Sequence, residues 1–133
     1  MIFIDSNVIL RFILNDDPKL SPKAAKIFRK IEKEKTTVFL SEVIVAEIVY
    51  VLLKVYKLKR KDIKEKLLKI FTLGNISIED KVILPFAFEI FVSKNVDFED
   101  AYQVALMQKK KVKQIYSFDS DFDKFPKIIR LEN

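Results

Sequence analysis

The hydrophobic residues of this chain follow two spacings, and the alternation of the two predicts its elements. Short runs rich in apolar residues predict strands at residues 1–4, 38–40, 76–78, 114–118 and 128–131. Apolar residues at helical spacing predict helices over residues 8–14, 22–34, 42–56, 61–73, 80–94 and 98–110. Residues 121–125 are predicted to form a turn or a short helix. Helices that alternate with short strands predict an α/β sandwich with a mainly parallel central sheet.

Polar residues that favour helix ends mark several of these boundaries. Ser21 precedes Pro22, which predicts a capping hydroxyl followed by a proline at the first helical position. Ser41 and Asp97 are expected to cap the helices that follow them. The chain has one Gly and no linker-like stretch, so residues 1–133 are predicted to form a single domain.

The residue types that are missing restrict the chemistry of this protein. It contains no Cys and no His, which excludes disulfides, thiol or histidine catalysis, and zinc sites of the usual Cys/His kind. No signal-peptide pattern is evident, and no apolar run approaches the roughly 20 residues that span a membrane, so we expect a cytoplasmic protein. The net charge of +6 suits a polyanionic partner, although a Lys-rich composition alone also accounts for it.

Two carboxylates are predicted to lie at one edge of the sheet. Asp5 follows the first strand, and Asp119 follows the strand at residues 114–118. Parallel sheets bind ligands at the carboxyl ends of their strands, where two carboxylates repel each other unless a cation lies between them. Taken singly, each Asp also suits a turn or a helix cap.

Glu47 lies in a predicted helix that is apolar on almost every side. We therefore expect this helix to be largely buried, where an unpaired carboxylate would cost on the order of several kcal/mol. A metal ion would serve as its partner. The alternative is that Glu47, Tyr50 and Lys54 form one narrow solvent-exposed stripe, because seven residues make about two helical turns.

Two acids open the helix predicted at residues 98–110. Asp97 and Asp100 resemble a capping box with a shortened acid, and acids suit the positive end of a helix. The capping interpretation is stronger for Asp97, because Asp100 is followed by Ala101 and Val104 on the inward side of the helix.

The acids after the strand at residues 114–118 do not form an EF-hand. Residues 119–123 have acids at the first, third and fifth loop positions, but Lys124 replaces the glycine and Arg130 the final glutamate. Four candidate oxygen ligands therefore come from four segments, and all-oxygen sites select hard ions such as Mg²⁺ or Mn²⁺.

Four segments carry a recognisable set of motifs in a fixed order. They read Ile4-Asp5-Ser6-Asn7-Val8-Ile9, then Ser41-Glu42-Val43 with Ala46-Glu47-Ile48, then Val96-Asp97-Phe98-Glu99-Asp100-Ala101, and finally Tyr116-Ser117-Phe118-Asp119-Ser120-Asp121-Phe122. This order and spacing resemble the PIN domain family, most closely its VapC-type toxins. The resemblance spans nearly the whole chain and implies a three-layer α/β/α fold around a parallel sheet. The chain departs from it at Lys111-Val112 and Pro126-Lys127, where relatives often have Gly.

The resemblance also implies a set of site residues. The family's catalytic and metal-binding acids fall on Asp5, Glu47, Asp100 and Asp119, which would hold one or two Mg²⁺ or Mn²⁺ ions. Further matches are the auxiliary acids Asp97 and Asp121 and the supporting polar residues Ser6, Asn7 and Ser117.

The activity that the resemblance implies is that of an endoribonuclease. Its substrate would be structured RNA such as tRNA or rRNA, attacked in line by a water that metal and carboxylates activate, with 5′-phosphate and 3′-hydroxyl products. The implied assembly is a homodimer that a cognate antitoxin protein neutralises. Candidates for holding RNA phosphates, with solvated helix ends as the alternative, are Arg11, Lys54, Arg60 and Lys109.

Two other functions stay open at this point. One is a non-catalytic PIN scaffold that binds RNA or a protein. The other is a phosphatase or phosphotransfer domain with an aspartyl nucleophile, which is disfavoured because Asn7 stands where the phosphatase pattern has a second Asp.

Overall fold

A computed structural model describes residues 2–34 and 36–132 and divides the chain into two compact units, Met1–Lys81 and Val82–Asn133. Short strands alternate with helices in both units, and every described strand pair is parallel. The predicted α/β class with parallel strands is therefore confirmed. The prediction of a single domain stays a prediction.

The described residues of the first unit form a three-stranded parallel sheet, four α-helices and one π-helical segment. The strands are β1 (Ile2–Phe3), β2 (Val38–Leu40) and β3 (Ile76–Ile78), in the spatial order β1-β2-β3. The helices are α1 (Ser6–Leu14), α2 (Leu20–Glu34), α3 (Glu42–Tyr50) and α4 (Arg60–Phe71). Residue Met1 of the predicted first strand lies outside the described residues.

Parallel register fixes the sheet of the first unit. Phe3 pairs with Phe39, and Phe39 in turn pairs with Ser77. Val38 and Leu40 point to the same face of β2 and are buried there, whereas Phe39 on the opposite face is half-buried. This register places Asp5 just beyond the carboxyl end of β1.

The second unit contains α5 (Leu84–Lys94), α6 (Phe98–Lys110), β4 (Gln114–Tyr116) and β5 (Ile129–Leu131), with a 3₁₀-helix at Ser120–Lys124 between the two strands. Strands β4 and β5 are parallel, and Tyr116 pairs with Leu131. Helices α5 and α6 pack through a cluster of phenylalanine rings, in which Phe88 and Phe98 have centroids 4.9 Å apart. This packing holds the first turn of α6, which carries Asp100.

Helix α2 begins earlier than predicted, and its cap is a different residue. Asp17, not Ser21, accepts the backbone N–H bonds of Lys19 (2.9 Å) and Leu20 (2.7 Å) through Oδ1. These bonds lower the pKa of Asp17 below its ordinary value, the Leu20 bond most. Ser21 is buried inside the helix, where its hydroxyl donates to the carbonyl of Arg11 (2.8 Å). Residue Ser21 therefore links α2 to α1 instead of starting α2.

Helices α3 and α5 are also shorter than predicted, whereas α1 and α4 differ from their predicted bounds by one or two residues at an end. Ser41 caps α3 as predicted, because its Oγ accepts from the N–H of Ile44 (3.4 Å). The α-helix ends at Tyr50, however, and the chain continues as a π-helical segment over Val51–Val55. Helix α5 starts at Leu84 and not at residue 80, because residues 79–83 form turns ahead of a proline in its first turn. Within the described residues, no helix has both the length and the apolarity that crossing a membrane requires.

Candidate active site

Three carboxylates of the second unit lie together. Asp100, Asp119 and Asp121 each offer a carboxylate oxygen, and these oxygens all lie within 4.8 Å of one another. Asp100 comes from the first turn of α6, Asp119 from the segment after β4, and Asp121 from the 3₁₀-helix. The cluster therefore lies at the carboxyl end of β4, the edge where parallel sheets bind ligands.

Local hydrogen bonds fix the backbone that carries Asp119. Its N–H donates to the Oγ of Ser117 (3.0 Å), and its Oδ1 accepts from the N–H of Asp121 (2.9 Å). Asp119 thus acts as the cap of the 3₁₀-helix, in agreement with the capping interpretation of an isolated Asp. The side chain of Asp119 therefore both caps the 3₁₀-helix and belongs to the carboxylate cluster.

Arg130 on β5 reaches back to the segment that carries the acids. Its Nε and Nη2 bind the two carboxylate oxygens of Asp123, each at 3.0 Å, and its Nη1 donates to the carbonyl of Ser117 (3.2 Å) and to Glu132. This ion pair lowers the pKa of Asp123 and raises that of Arg130. The sequence gives no local signal for this role of Arg130, because Asp123 lies in another element.

The pKa of Asp100 is raised, mainly by burial of its carboxyl group. Burial raises the pKa of this half-buried carboxyl to about 6, and the negative charges of Asp119, Asp97, Asp121 and Glu99 add to that rise. A raised pKa in this setting means that the ionised carboxylate lacks enough compensating positive charge.

Lys124 forms an ion pair with Asp121, one member of the cluster. Its Nζ lies 3.0 Å from Oδ1 of Asp121 and donates to the carbonyl of Asn95 (3.3 Å). The ammonium group therefore sits against one side of the cluster and connects the 3₁₀-helix to the turn between α5 and α6. Asp121, which the sequence suggested as an auxiliary acid, is a full member of the cluster.

The donor set of the cluster fits a hard divalent cation. Carboxylate oxygens are the preferred ligands of Mg²⁺ and Mn²⁺, and no softer ligand is near, since the chain has no Cys and no His. A cation among the three oxygens would also offset the repulsion that raises the pKa of Asp100.

Asp97 occupies the cap position of α6 without the predicted capping bond. Its backbone is extended, as at a helix cap, but its side chain makes no capping hydrogen bond. The capping-box prediction for Asp97 and Asp100 is therefore wrong in its hydrogen bonding. The charge of Asp97 instead contributes to the raised pKa of Asp100.

In the first unit, Asp5 lies at the start of α1 and is exposed. Asn7 donates from its Nδ2 to Oδ2 of Asp5 at 3.5 Å, a long hydrogen bond that orients the carboxylate. Ser6, between them, is buried. The supporting role that the family resemblance implies for Asn7 stays a prediction.

Glu47 is exposed on α3, and the expectation that its helix would be largely buried is wrong for this face. Tyr50 and Lys54 are exposed as well, and Val43 one turn earlier is 77% exposed. These residues form the solvent-exposed stripe that was the alternative interpretation. The opposite face, with Val45, Ile48 and Val49, is buried, so burial supplies no argument for a ligand role of Glu47.

The basic candidates differ in their surroundings. Arg11 binds Oδ1 of Asp16 (2.9 Å) and donates to the hydroxyl of Tyr56 (3.1 Å), so its guanidinium is engaged within the first unit. Lys54 and Lys109 are exposed, and Arg60 is half-buried at the start of α4. Lys109 lies in the last turn of α6, where a cation is favourable next to the helix carbonyls.

A separate groove of about 860 Å³ lies at the other end of α6. Its lining includes the apolar residues Met107, Val112 and Phe125 and several lysines, such as Lys111 and Lys113. These residues precede β4 and β5 and so mark the amino-terminal edge of that sheet. Because the carboxylates lie at the opposite strand ends, the groove does not contain them.

Comparison with known proteins decides the family. The model of the PIN domain family matches residues 2–128, which is nearly the whole chain. This chain belongs to the PIN domain family. The resemblance of its motifs to that family is thereby confirmed, and with it the PIN-like α/β class.

Two further proteins are similar to this PIN domain. A VapC ribonuclease of Aquifex aeolicus (strain VF5) is 25% identical over 124 residues, which cover 93% of this chain and 91% of the relative. The crystal structure of Mycobacterium tuberculosis VapC20, a Sarcin-Ricin loop cleaving toxin, is 18% identical with a TM-score of 0.43 and covers 92% of this chain and 93% of its own.

The four-acid site predicted for this PIN domain draws on both units. Asp100 and Asp119 are brought together in the second unit, with Asp121 beside them. Asp5 and Glu47 belong to the first unit, and the assembly of all four acids stays a prediction. Sequence reasoning missed the bracing role of Arg130 and the ion pair of Lys124 with Asp121, since neither pair has a motif of its own.

Proposed function

We propose that this PIN domain is a metal-dependent endoribonuclease that hydrolyses phosphodiester bonds in structured RNA. The observation that carries the proposal is the cluster of Asp100, Asp119 and Asp121 at the carboxyl end of β4, in a chain that belongs to the PIN domain family. The similarity to a VapC ribonuclease supports the choice of RNA as substrate.

In this proposal the predicted acids bind the metal ion. Asp100 and Asp119 would hold one or two Mg²⁺ or Mn²⁺ ions together with Asp5 and Glu47, and residues 1–133 would act as one domain. Such an ion supplies Lewis-acid chemistry, because it offsets the charge of the phosphate and makes water more acidic. Asn7 would orient Asp5, and the Ser117 and Arg130 bonds would hold Asp119 in place.

No histidine is present to act as a general base, so proton removal from the attacking water falls to a carboxylate. Hydrolysis in this way would leave a 5′-phosphate and a 3′-hydroxyl.

The biological setting that we propose is a toxin–antitoxin pair. The chain would be the toxin, located in the cytoplasm, active on tRNA or rRNA as a homodimer, and neutralised by a cognate antitoxin protein. The similarity to a VapC ribonuclease supports this setting, and the net charge of +6 suits an RNA substrate.

The test is cleavage of a pool of tRNA and rRNA with Mg²⁺, with Mn²⁺ and with EDTA. Wild type is compared with Asp5→Asn and Asp119→Asn, and with Glu99→Gln as a matched control. Glu99 is an exposed acid in the same turn of α6 as Asp100 but is not a cluster member. Discrete fragments that need metal, vanish in both Asp variants and persist in the control would support the proposal.

The alternative is a PIN scaffold that binds RNA or a protein without cutting it. RNA binding by wild type with no metal-dependent fragments would favour that alternative. Fragments that persist in EDTA or in Asp119→Asn would contradict the metal-dependent mechanism and its assignment to these acids.

A further inference from the structure

Phe118 is exposed and directly precedes one of the acids of the carboxylate cluster in the sequence. Its side chain is 88% exposed, the highest fraction among the large apolar side chains that the structure describes. It directly precedes Asp119 in the chain, and the carboxylate of Asp119 lies within 4.8 Å of the other two acids of the cluster. An aromatic side chain gains much apolar burial when a ligand covers it, so an exposed ring in this segment is a candidate for contact with a ligand.

The backbone around Phe118 is fixed on both sides. The N–H of Asp119 donates to Oγ of Ser117 (3.0 Å), which closes a side-chain turn with Phe118 at its centre. Nη1 of Arg130 donates to the carbonyl of Ser117 (3.2 Å), and Asp119 is held by the N–H of Asp121 (2.9 Å). The ring is therefore attached to a preordered support, which lowers the ordering cost of binding.

We propose that Phe118 is a stacking platform for an unpaired nucleobase of the RNA substrate, next to the phosphate to be cleaved. The inference rests on the proposed ribonuclease function and names a binding residue beyond the acids. Unpaired bases in RNA are commonly held by stacking on aromatic rings, and a phenylalanine ring does so without reading hydrogen-bonding groups.

The surroundings of Phe118 favour a nucleotide over an apolar protein partner. The segment around Phe118 carries the charges of Asp119, Asp121 and Lys124, and Arg130 of β5 binds it through Asp123. Tyr116, two residues before Phe118, is also exposed, so the two rings are a small aromatic surface next to charged groups. Cores of protein interfaces are depleted of charged residues, whereas a nucleotide combines an apolar base face with a charged backbone. A base stacked on Phe118 would hold its own phosphate close to the carboxylates.

The platform is expected to position the RNA more than to select its sequence. Every base has a flat π-face, so stacking on Phe118 tolerates all four bases. Loss of the ring should therefore raise KM for cleavage much more than it lowers kcat, and it should do so for substrates of different sequence.

The test uses short single-stranded RNAs that carry the fluorescent base 2-aminopurine at one position, because stacking on an aromatic ring quenches this base. Binding is measured in the Asp5→Asn background with Mg²⁺, and a gel verifies that the RNA is intact. The variants are Phe118→Leu, which keeps the side chain apolar, Phe118→Tyr, which keeps the aromatic ring, and Phe86→Ala as control. Phe86 is a 62% exposed phenylalanine in the first turns of α5.

We expect quenching at one position of the RNA with Phe118 present. Phe118→Leu should remove that quenching and weaken binding about 5- to 100-fold, as the loss of one stacked base does. Phe118→Tyr should restore both signals, and Phe86→Ala should leave both unchanged. Melting curves of all variants exclude unfolding as the cause.

Quenching and affinity that are unchanged in Phe118→Leu would overturn the platform. If wild type cleaves RNA in that case, the proposed function stands without it. Weaker binding by Phe118→Leu with no quenched position in wild type would also overturn stacking, because the contact would then be merely apolar. A wild type that neither binds nor cleaves RNA with Mg²⁺ or Mn²⁺ would overturn the platform and the proposed function together.

Discussion

A carboxylate oxygen of Asp100 lies within 4.8 Å of one of Asp119, although Asp100 belongs to α6 and Asp119 to the segment after β4. Two ionised carboxylates at this distance repel each other, and the partial burial of Asp100 strengthens the effect. The protein keeps this arrangement without a softer metal ligand and without a histidine. A site of this composition is most favourable when a divalent cation is bound or when one carboxyl group is protonated.

The first prediction concerns the titration of Asp100. In the absence of divalent ions, its carboxyl should titrate near pH 6, because burial and the charges of Asp119, Asp97, Asp121 and Glu99 raise its pKa to that value. Removal of one of these charges with Asp119→Asn should lower the pKa of Asp100. NMR of the side-chain carboxyl carbons as a function of pH measures both effects, and titration of Asp100 near 3.8 in wild type would contradict the prediction.

The second prediction concerns stability without metal. Because the pKa of Asp100 is raised on folding, the folded state binds more protons than the unfolded state between about pH 6 and the ordinary value of 3.8. Ionisation of Asp100 is therefore destabilising, and the penalty is complete above the folded pKa and relieved as the pH falls through it. Asp100→Asn should raise the melting temperature of the ion-free protein at neutral pH, and less so near pH 4.

Divalent ions should remove the destabilisation that ionised Asp100 causes in the ion-free protein. Mg²⁺ or Mn²⁺ binds the ionised carboxylates, so it should stabilise wild type at neutral pH and have little effect on Asp100→Asn. Glu99→Gln, in the same helical turn, should respond to the ions as wild type does. Equal stabilisation of Asp100→Asn and wild type by Mn²⁺ would place the ion elsewhere.

The sequence predicts features that depend on neighbouring residues better than features that depend on contacts between distant segments of the chain. The strand at Val38–Leu40 and the cap at Ser41 are correctly predicted, because a short apolar run determines the strand and a local side-chain hydrogen bond determines the cap. The start of α2 is not correctly predicted, because both Asp17 and Ser21 are suitable capping residues. Only the hydrogen bond of Ser21 to the carbonyl of Arg11, which lies outside α2, decides between them.

The same distinction applies to the candidate site. Asp119 and Asp121 lie close together because they are two residues apart in the sequence. The position of Asp100 next to them depends on how α6 packs. The exposure of Glu47 is unpredictable from composition, because an apolar helix does not reveal which face its neighbours leave uncovered. The bond of Arg130 to Asp123 joins two elements and has no sequence pattern.

The third prediction concerns the brace between Arg130 and the loop of the acids. Arg130→Lys keeps the charge but loses the two parallel bonds to Asp123 and the fixed fork that also reaches Ser117. We expect metal affinity or cleavage to fall roughly tenfold, as it does on loss of a residue that orients a metal ligand. Isothermal titration with Mn²⁺ measures this, and Lys113→Arg is the control because Lys113 lies at the other end of β4. Unchanged Mn²⁺ affinity in Arg130→Lys would contradict the bracing role.

The brace also gives stability a pH dependence of the opposite sign to that of Asp100. The ion pair lowers the pKa of Asp123, so its stabilisation is present above the ordinary value of 3.8 and is lost as the pH falls through the lowered pKa. Asp123→Asn should therefore lower the melting temperature at neutral pH more than in acid. An equal effect at both pH values would show that the pair contributes no charge-dependent stability.

The fourth prediction concerns Glu47. Because this carboxylate is exposed, Glu47→Gln should change the free energy of unfolding by no more than about 0.5 kcal/mol. If Glu47 is one of the catalytic acids, the same variant should nevertheless lose most of the metal-dependent cleavage. Glu65→Gln, an exposed acid on α4, controls for the loss of one negative charge. Cleavage by Glu47→Gln at the rate of Glu65→Gln would remove Glu47 from the site.

The fifth prediction concerns the ammonium group of Lys124, which lies 3.0 Å from Oδ1 of Asp121. A divalent cation in the cluster and this ammonium are attracted to the same carboxylates and repel each other. Lys124→Gln should therefore tighten the binding of Mn²⁺. The gain should be about two- to fivefold, because the pair is partly exposed and such pairs are worth less than about 1 kcal/mol.

Lys127→Gln is the matched control for the fifth prediction. The substitution Lys127→Gln removes the same charge. Lys127 lies at the groove on the amino-terminal side of β5, away from the acids. Added salt should reduce the difference between Lys124→Gln and wild type, since the repulsion is screened. Weaker Mn²⁺ binding in Lys124→Gln would mean that Lys124 instead holds the 3₁₀-helix in the geometry that the ion needs. Its bond to the carbonyl of Asn95 would then be the one that matters.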